Sequence, residues 1–227
     1  MHGNNHTHQF MTAEIDDKVK VLIFDLGGVI INVDMERSFR EVEKLGVDVR
    51  QLVKTAGENA SSGTGAVVCE GLSVGGVMEQ YQLGTVSTDL FVEGVRRMCK
   101  PGVSRQQIVD AWNACLLDIP EHRLDTIRSL RRKYKVYLLS NTNDLHWRNI
   151  VERYFSAEGH TTDCFFDRVF VSHEMHLAKP DKRIFRKVLE EIGAPADECM
   201  FFDDSSLNIA AAESVGMKTK LVREFTI

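Results

Sequence analysis

The sequence predicts an α/β fold: a parallel sheet with an all-helical block inserted after its first strand. Three observations predict it. Val21–Phe24 is an apolar run that ends on Asp25, Gly27 and Gly28, as a short strand buried on both faces would. From Pro120 onward, short apolar runs alternate with helical periods, the rhythm of strands joined through helices. Between these two regions lie about a hundred residues, where a simple parallel crossover needs only ~12. The block between them is therefore an insertion, and its natural place is over the strand ends, as a cap.

The elements follow in order. Residues 1–18 are polar, with His2, His6 and His8 among them, and are expected to form a disordered tail. The core is expected at 19–33 and 119–227, and the helical cap at 34–118. After Asp34, the spacing of Met35, Phe39, Val42 and Leu45 predicts one apolar helix face, ended by Gly46. Val49–Ala56 is a weaker helical pattern, and 57–76 is rich in Gly and Ser. That stretch lacks the Gly-Lys-Ser/Thr that closes a phosphate-binding loop. Helical spacing resumes at Val77–Leu83. Ser87 is placed to cap a helix carrying Leu90, Phe91, Val95 and Met98. Ser104 and Gln107 form a capping box before Ile108, Ala111, Trp112 and Cys115.

Pro120–Lys133 then reads as a helix, Val136–Leu139 as a strand and Asp144–Phe155 as a helix. Arg168–Val171 is a strand and Ser172–Pro180 a loop. Asp181–Ile192 is a helix closed by Gly193. Met200–Phe202 is a strand, Leu207–Val215 a helix and Thr219–Val222 a last strand.

Composition narrows the function. Of 227 residues, 43% are hydrophobic and 27% charged, the balance of an ordinary globular protein. A net charge of −5 without a basic stripe argues against a nucleic-acid partner. No apolar run approaches the ~20 residues of a membrane span. Five scattered cysteines without a C-x-x-C pair read as reduced thiols of a cytoplasmic protein.

The chemistry-bearing residues fall at strand ends. Asp25 follows the first strand, and by itself it is open to three readings: nucleophile, metal ligand or helix cap. Ser140, Asn141 and Asn143 follow the strand at Val136. Asp203 and Asp204 follow the strand at Met200, and Lys179 lies in the loop before Pro180. In a parallel sheet these ends share one edge, where ligands bind. Hard carboxylate oxygens suit Mg²⁺. Ser140 and a backbone N–H near Asn141 can hold phosphate oxygens, and Lys179 can neutralise charge on a transferring group. Together they make sense as a phosphoryl-transfer site.

The motifs F-D-L-G-G-V (Phe24–Val29), L-L-S-N-T (Leu138–Thr142), Lys179-Pro180 and F-F-D-D-S-S-L-N (Phe201–Asn208) resemble those of the haloacid dehalogenase-like (HAD) superfamily, C1-capped class. The stretch S-N-T-N-D-L-H-W (Ser140–Trp147) is similar to its bacterial sugar-1-phosphate phosphatase branch. The resemblance implies a Rossmann-like core and a Mg²⁺-dependent phosphatase acting on a small phosphorylated metabolite. It implies Asp25 as nucleophile and metal ligand, and the Gly27 carbonyl, Asp204 and Asp203 at the metal. Ser140, Asn141 and Lys179 would hold phosphate, with Asn208, Asn143 and His146 in support.

One position departs from the pattern. Family phosphatases carry a second Asp two residues after the nucleophile, as general acid and base, and here that residue is Gly27. Such a group is worth ~10²–10⁴-fold. Either the leaving group needs little protonation, or His146, Asp34, His173 or His176 substitutes, or the protein binds phosphorylated ligands with weak turnover. Dehalogenases also lack that Asp but need no metal, which fits Asp203-Asp204 poorly.

Overall fold

The computed structural model describes residues 15–49, 76–156 and 159–223. The expectations for 1–14 and 50–75 lie outside the described residues. Five strands form one parallel sheet: β1 (Val21–Phe24), β2 (Lys135–Ser140), β3 (Arg168–Val171), β4 (Cys199–Asp203) and β5 (Lys218–Leu221), in the order β3-β2-β1-β4-β5. The chain runs from β1 outward to β3, then crosses back to β4 on the other side of β1. That reversal opens a crevice at the carboxyl ends of β1 and β4. The register pairs Phe24 with Phe202, so the next residues, Asp25 and Asp203, emerge side by side.

Alternation along β1 builds two cores. Leu22 and Phe24 join Val136, Leu138, Met200 and Phe202 beneath α5 (Glu121–Leu130), with Phe155 beyond α6 (Asp144–Ile150). Val21 and Ile23 join Leu139, Phe170 and Phe201 on the opposite face. There they meet Ile184, Phe185 and Val188 of α8 (Lys182–Ile192) and Ala211 and Ala212 of α9 (Ser206–Glu213). Burial on both faces explains why these strands read as continuous apolar runs.

The inserted segment holds α1 (Met35–Lys44), α2 (Val77–Gln82), α3 (Thr88–Met98) and α4 (Arg105–Asn113). They gather a separate core around Val42, Tyr81, Phe91, Val95, Ile108 and Trp112. The caps read from sequence are present: Ser87 accepts from the Leu90 N–H, and Ser104 and Gln107 form the reciprocal box. Each such cap is worth about 1 kcal/mol. Two expectations for the apolar faces fail, since Met35 is 40% exposed and Leu90 56%. Leu90, Phe91 and Val92 span about 200° of helix, so they cannot all face one core, and Leu90 is the one left out. Entry and exit of the segment pair with each other. Val33 and Leu116 form an antiparallel bridge, flanked by Asn32 N–H to Asp118 O (2.9 Å) and Leu117 N–H to Asn32 O (3.0 Å).

Three further differences are tertiary in origin. Ile15, expected in the tail, is 8% exposed and packs in the core, and Asp16 pairs with Lys218 at 2.7 Å. Ser172–Met175, expected as loop, is a short helix, α7. The helix expected over Asp144–Phe155 becomes a π-helical turn at Val151–Phe155. There Arg153 and Tyr154 bond the Leu116 and Leu117 carbonyls, contacts that no periodicity encodes. Among the described residues, no helix is long and apolar enough to cross a membrane.

Candidate active site

Asp25 is 8% exposed. Its N–H bonds Phe202 O at 2.8 Å, continuing the β1–β4 ladder, and its Oδ1 accepts from the Leu26 N–H at 2.7 Å. The chain then folds back sharply, with Ile30 and Ile31 N–H both donating to Leu26 O. Gly28 sits in this turn at φ +72°, and a Cβ there would lie 2.1 Å from Asp204 Oδ2. Glycine is therefore required twice over at 28, for backbone and for space. At Gly27 a Cβ would meet only Val33 Cγ2, at 3.5 Å, an ordinary contact.

Asp203, fully buried at the end of β4, accepts from Lys179 Nζ at 2.6 Å. It also accepts from Asn208 Nδ2 at 3.0 and 3.1 Å and from the Ser205 N–H at 2.8 Å. Lys179 Nζ reaches Asp25 Oδ1 at 2.8 Å as well, from a side chain 1% exposed. Asp204 is exposed beside them. One oxygen from each of Asp25, Asp203 and Asp204 lies within 4.8 Å of the others. This is the one such cluster of metal-ligating side chains among the described residues.

Three carboxylates lie together, and the one ammonium beside them pairs with Asp25 and Asp203 alone, so the site carries excess negative charge. Burial pushes the Asp25 carboxyl up to about 6, against the pull of Lys179 and with a further push from Asp203. Burial and then Asp203 raise Asp204 too. An all-oxygen, under-neutralised donor set fits a hard divalent cation.

A family model for haloacid dehalogenase-like hydrolases matches residues 19–216. The chain belongs to this family of hydrolases. This HAD hydrolase is 35% identical to a HAD-family enzyme from Bacteroides thetaiotaomicron, solved in complex with magnesium and inorganic phosphate. That likeness covers 89% of this chain and 93% of the other, with a TM-score of 0.77. A predicted HAD-like hydrolase from Porphyromonas gingivalis is 29% identical, covering 90% and 91% of the two chains, with a TM-score of 0.75. The D-ribitol-5-phosphate phosphatase of Bacteroides thetaiotaomicron is 27% identical over 201 residues, 88% of this chain and 90% of that protein.

Within the HAD hydrolase, Asp25, Lys179, Asp203, Asp204 and Asn208 converge. Ser140 ends β2 and is 3% exposed. Asn141 follows it, and its side-chain amide is bonded to the Lys179 backbone, which leaves open the expected phosphate contact from a backbone N–H near Asn141. Asn143 and His146 belong to the junction with the inserted helices. Asn143 Oδ1 caps α6 through the His146 N–H and takes the Trp112 indole N–H at 3.4 Å.

His146 uses both ring nitrogens there: Nε2–H donates to Trp112 O at 3.0 Å and Nδ1 accepts from Asn143 at 3.2 Å. Burial lowers its pKa to about 4, so at neutral pH the ring is neutral and lacks the imidazolium proton a general acid would give. Two of the other substitute acids are engaged elsewhere. Asp34 caps α1 and pairs with Arg40. His176 bonds Leu83 O at 2.8 Å. His173 lines a cavity with Tyr81, Thr88 and Arg148.

Sequence reasoning missed Arg123 and Ser172. Arg123, 2% exposed, donates to Ile30 O and Asn32 Oδ1 at 3.0 Å and braces the turn after Gly28. Ser172, fully buried, accepts from the Thr142 N–H at 3.0 Å and reaches Gln82 O of the inserted segment at 2.7 Å. A buried arginine on a helix and a serine at a strand end carry no local signal of these roles.

Proposed function

We propose that the protein is a Mg²⁺-dependent phosphatase of a small phosphorylated metabolite, a sugar phosphate among the candidates, working through a phospho-aspartyl intermediate on Asp25. The observation that carries the reading is the convergence of Asp25, Asp203 and Asp204 around Lys179 at the strand crossing. The likeness to a sugar-alcohol phosphatase and to a magnesium–phosphate complex supports it.

Asp25, the Gly27 carbonyl and Asp204 would hold Mg²⁺, with Asp203 beside it. Bound there, Mg²⁺ would screen the charges of phosphate and carboxylate and orient the phosphoryl group. Asp25 Oδ1 is held by Lys179 and the Leu26 N–H, which orients the carboxylate so that one oxygen would bind the metal and the other attack phosphorus. The P–O bond to the leaving group breaks as the Asp25 O–P bond forms. Water then attacks phosphorus and releases phosphate and free Asp25. Ser140, a backbone N–H near Asn141 and Lys179 would hold the phosphoryl oxygens. The inserted helices, with their own core and paired connections, would act as the cap that closes over the site and selects substrate. The free thiols Cys99, Cys115, Cys164 and Cys199 suit a reducing, cytoplasmic setting.

The test is hydrolysis of p-nitrophenyl phosphate with and without Mg²⁺, followed by a panel of phosphorylated metabolites. Turnover that needs Mg²⁺ and stops with a chelator is expected. Turnover indifferent to chelator would remove the metal from the account. Gly27 favours a second reading, a phospholigand-binding protein, and absent turnover with retained phosphate-ester binding would select it.

Gly28→Ala provides a steric check. Its Cβ would collide with the Asp204 carboxylate and displace it. Mg²⁺ affinity by calorimetry is expected to fall roughly 10–100-fold, the range for disturbed ligand orientation. An unchanged affinity would take Asp204 out of the metal site.

A further inference from the structure

We propose that the Asn141 amide serves the reaction through Lys179, as its positioning residue, and not as a ligand of the phosphoryl group. The inference rests on the phosphatase reading above. Asn141 follows the last residue of β2, and its side chain crosses to the loop before α8. Nδ2 donates to Lys179 O at 2.8 Å, and Oδ1 accepts from the Lys179 N–H at 2.9 Å. The amide thus closes a two-bond ring with a single peptide backbone. Among the described residues, it is the sole hydrogen-bond partner of that N–H and that carbonyl.

The anchor matters because of what Lys179 must do. Its ammonium sits between Asp25 Oδ1 and Asp203 Oδ2, at 2.8 and 2.6 Å. A lysine has four side-chain torsions between backbone and ammonium, so a shift at the backbone is carried to Nζ. Misplacement by about 1 Å can cost ~10²-fold in rate. Asparagine suits the position chemically, since one side chain supplies both a donor and an acceptor. Aspartate would forfeit the bond to Lys179 O and add a fourth carboxylate near the site. The neighbouring Thr142 N–H is held by Ser172, so the strand-end segment is fixed on both sides of the crossing.

A double-mutant cycle tests the proposal. Asn141→Ala, Lys179→Ala and the double variant are compared in kcat/KM for p-nitrophenyl phosphate. Mg²⁺ affinity is measured by calorimetry without substrate. Thermal melts establish that each variant is folded, and Lys179→Gln replaces Lys179→Ala as background if the alanine variant does not fold. Asn141→Ala alone is expected to lose roughly 10–100-fold, mainly in kcat. On the lysine-less background it should cost less than about 2-fold, because residues acting through one group are not additive. Mg²⁺ binding should tighten in both single variants, as the competing ammonium is moved or removed, and no further in the double. Multiplying losses, with a raised KM, weaker inhibition by inorganic phosphate and unchanged Mg²⁺ affinity, would make Asn141 a direct phosphate ligand and overturn the proposal. If the wild type hydrolyses no ester, the phosphatase reading fails by itself, and the Mg²⁺ titrations still decide whether Asn141 acts through Lys179.

Discussion

Asp25→Asn is expected to lose on the order of 10⁴–10⁶-fold in kcat, the scale seen when a covalent nucleophile or its partner is removed. The amide keeps the shape but not the nucleophilic oxygen. Its fold should persist and become more stable. Asp25 has its carboxyl raised from 3.8 to about 6 in the folded chain, chiefly by burial. A folded-state pKa above the unfolded one means that the native state holds the proton more tightly. The contribution of this one group to stability is then full below about pH 4, is lost as pH rises through about 6, and stays lost above. The asparagine variant escapes that loss. In chelator its melting temperature should exceed the wild type's at pH 7–8, by about 2–4 °C per kcal/mol relieved, and the gap should close toward pH 4. A mutant that melts lower at pH 8 would show that the carboxylate is stabilising where it lies.

The second large effect is expected at Gly27. With glycine there, and with three of the four candidate substitutes, His146, Asp34 and His176, engaged elsewhere, leaving-group protonation is expected to be weak. The rate should depend steeply on leaving-group acidity. Aryl phosphates and sugar 1-phosphates should outpace primary-alcohol phosphates such as sugar 6-phosphates. Gly27→Asp should flatten that dependence. The position accepts a Cβ at an ordinary 3.5 Å from Val33 Cγ2, unlike Gly28 next to it. The gain should be greatest for alcohol phosphates, about 10-fold or more, short of the full ~10²–10⁴-fold of an acid the site was shaped around. The measurement is kcat/KM across a series of esters in both proteins. A shallow wild-type dependence would show that a proton donor is already in place.

The strands were legible because burial leaves them little freedom. Val21–Phe24, buried throughout between two paired strands, and Arg168–Val171, at the sheet edge with its last two residues buried, have the bounds read from sequence. The sheet register then brings Asp25 beside Asp203, so that pairing was implicit once the strands were parallel. What escaped is set by contacts between distant segments. His146 falls on the right helix face for the site, yet Trp112, 34 residues away, captures its ring. Asn141 is read through a backbone N–H near it, and no local pattern signals that its side-chain amide is bonded to the Lys179 backbone, 38 residues away. The sequence does not show that Gly28 has no room for a side chain, because Asp204, which fills that space, comes from the end of another strand.

The central claim is a covalent step on Asp25, and trapping that step tests it most directly. Wild-type protein mixed with Mg²⁺ and a good ester is quenched in acid within the first turnovers, digested, and searched by mass spectrometry for a phosphorylated peptide. A phosphoryl group on Asp25 is expected, absent from Asp25→Asn and absent when Mg²⁺ is chelated. Steady turnover with Asp25 unmodified, or with the phosphoryl group on another residue, would contradict the account.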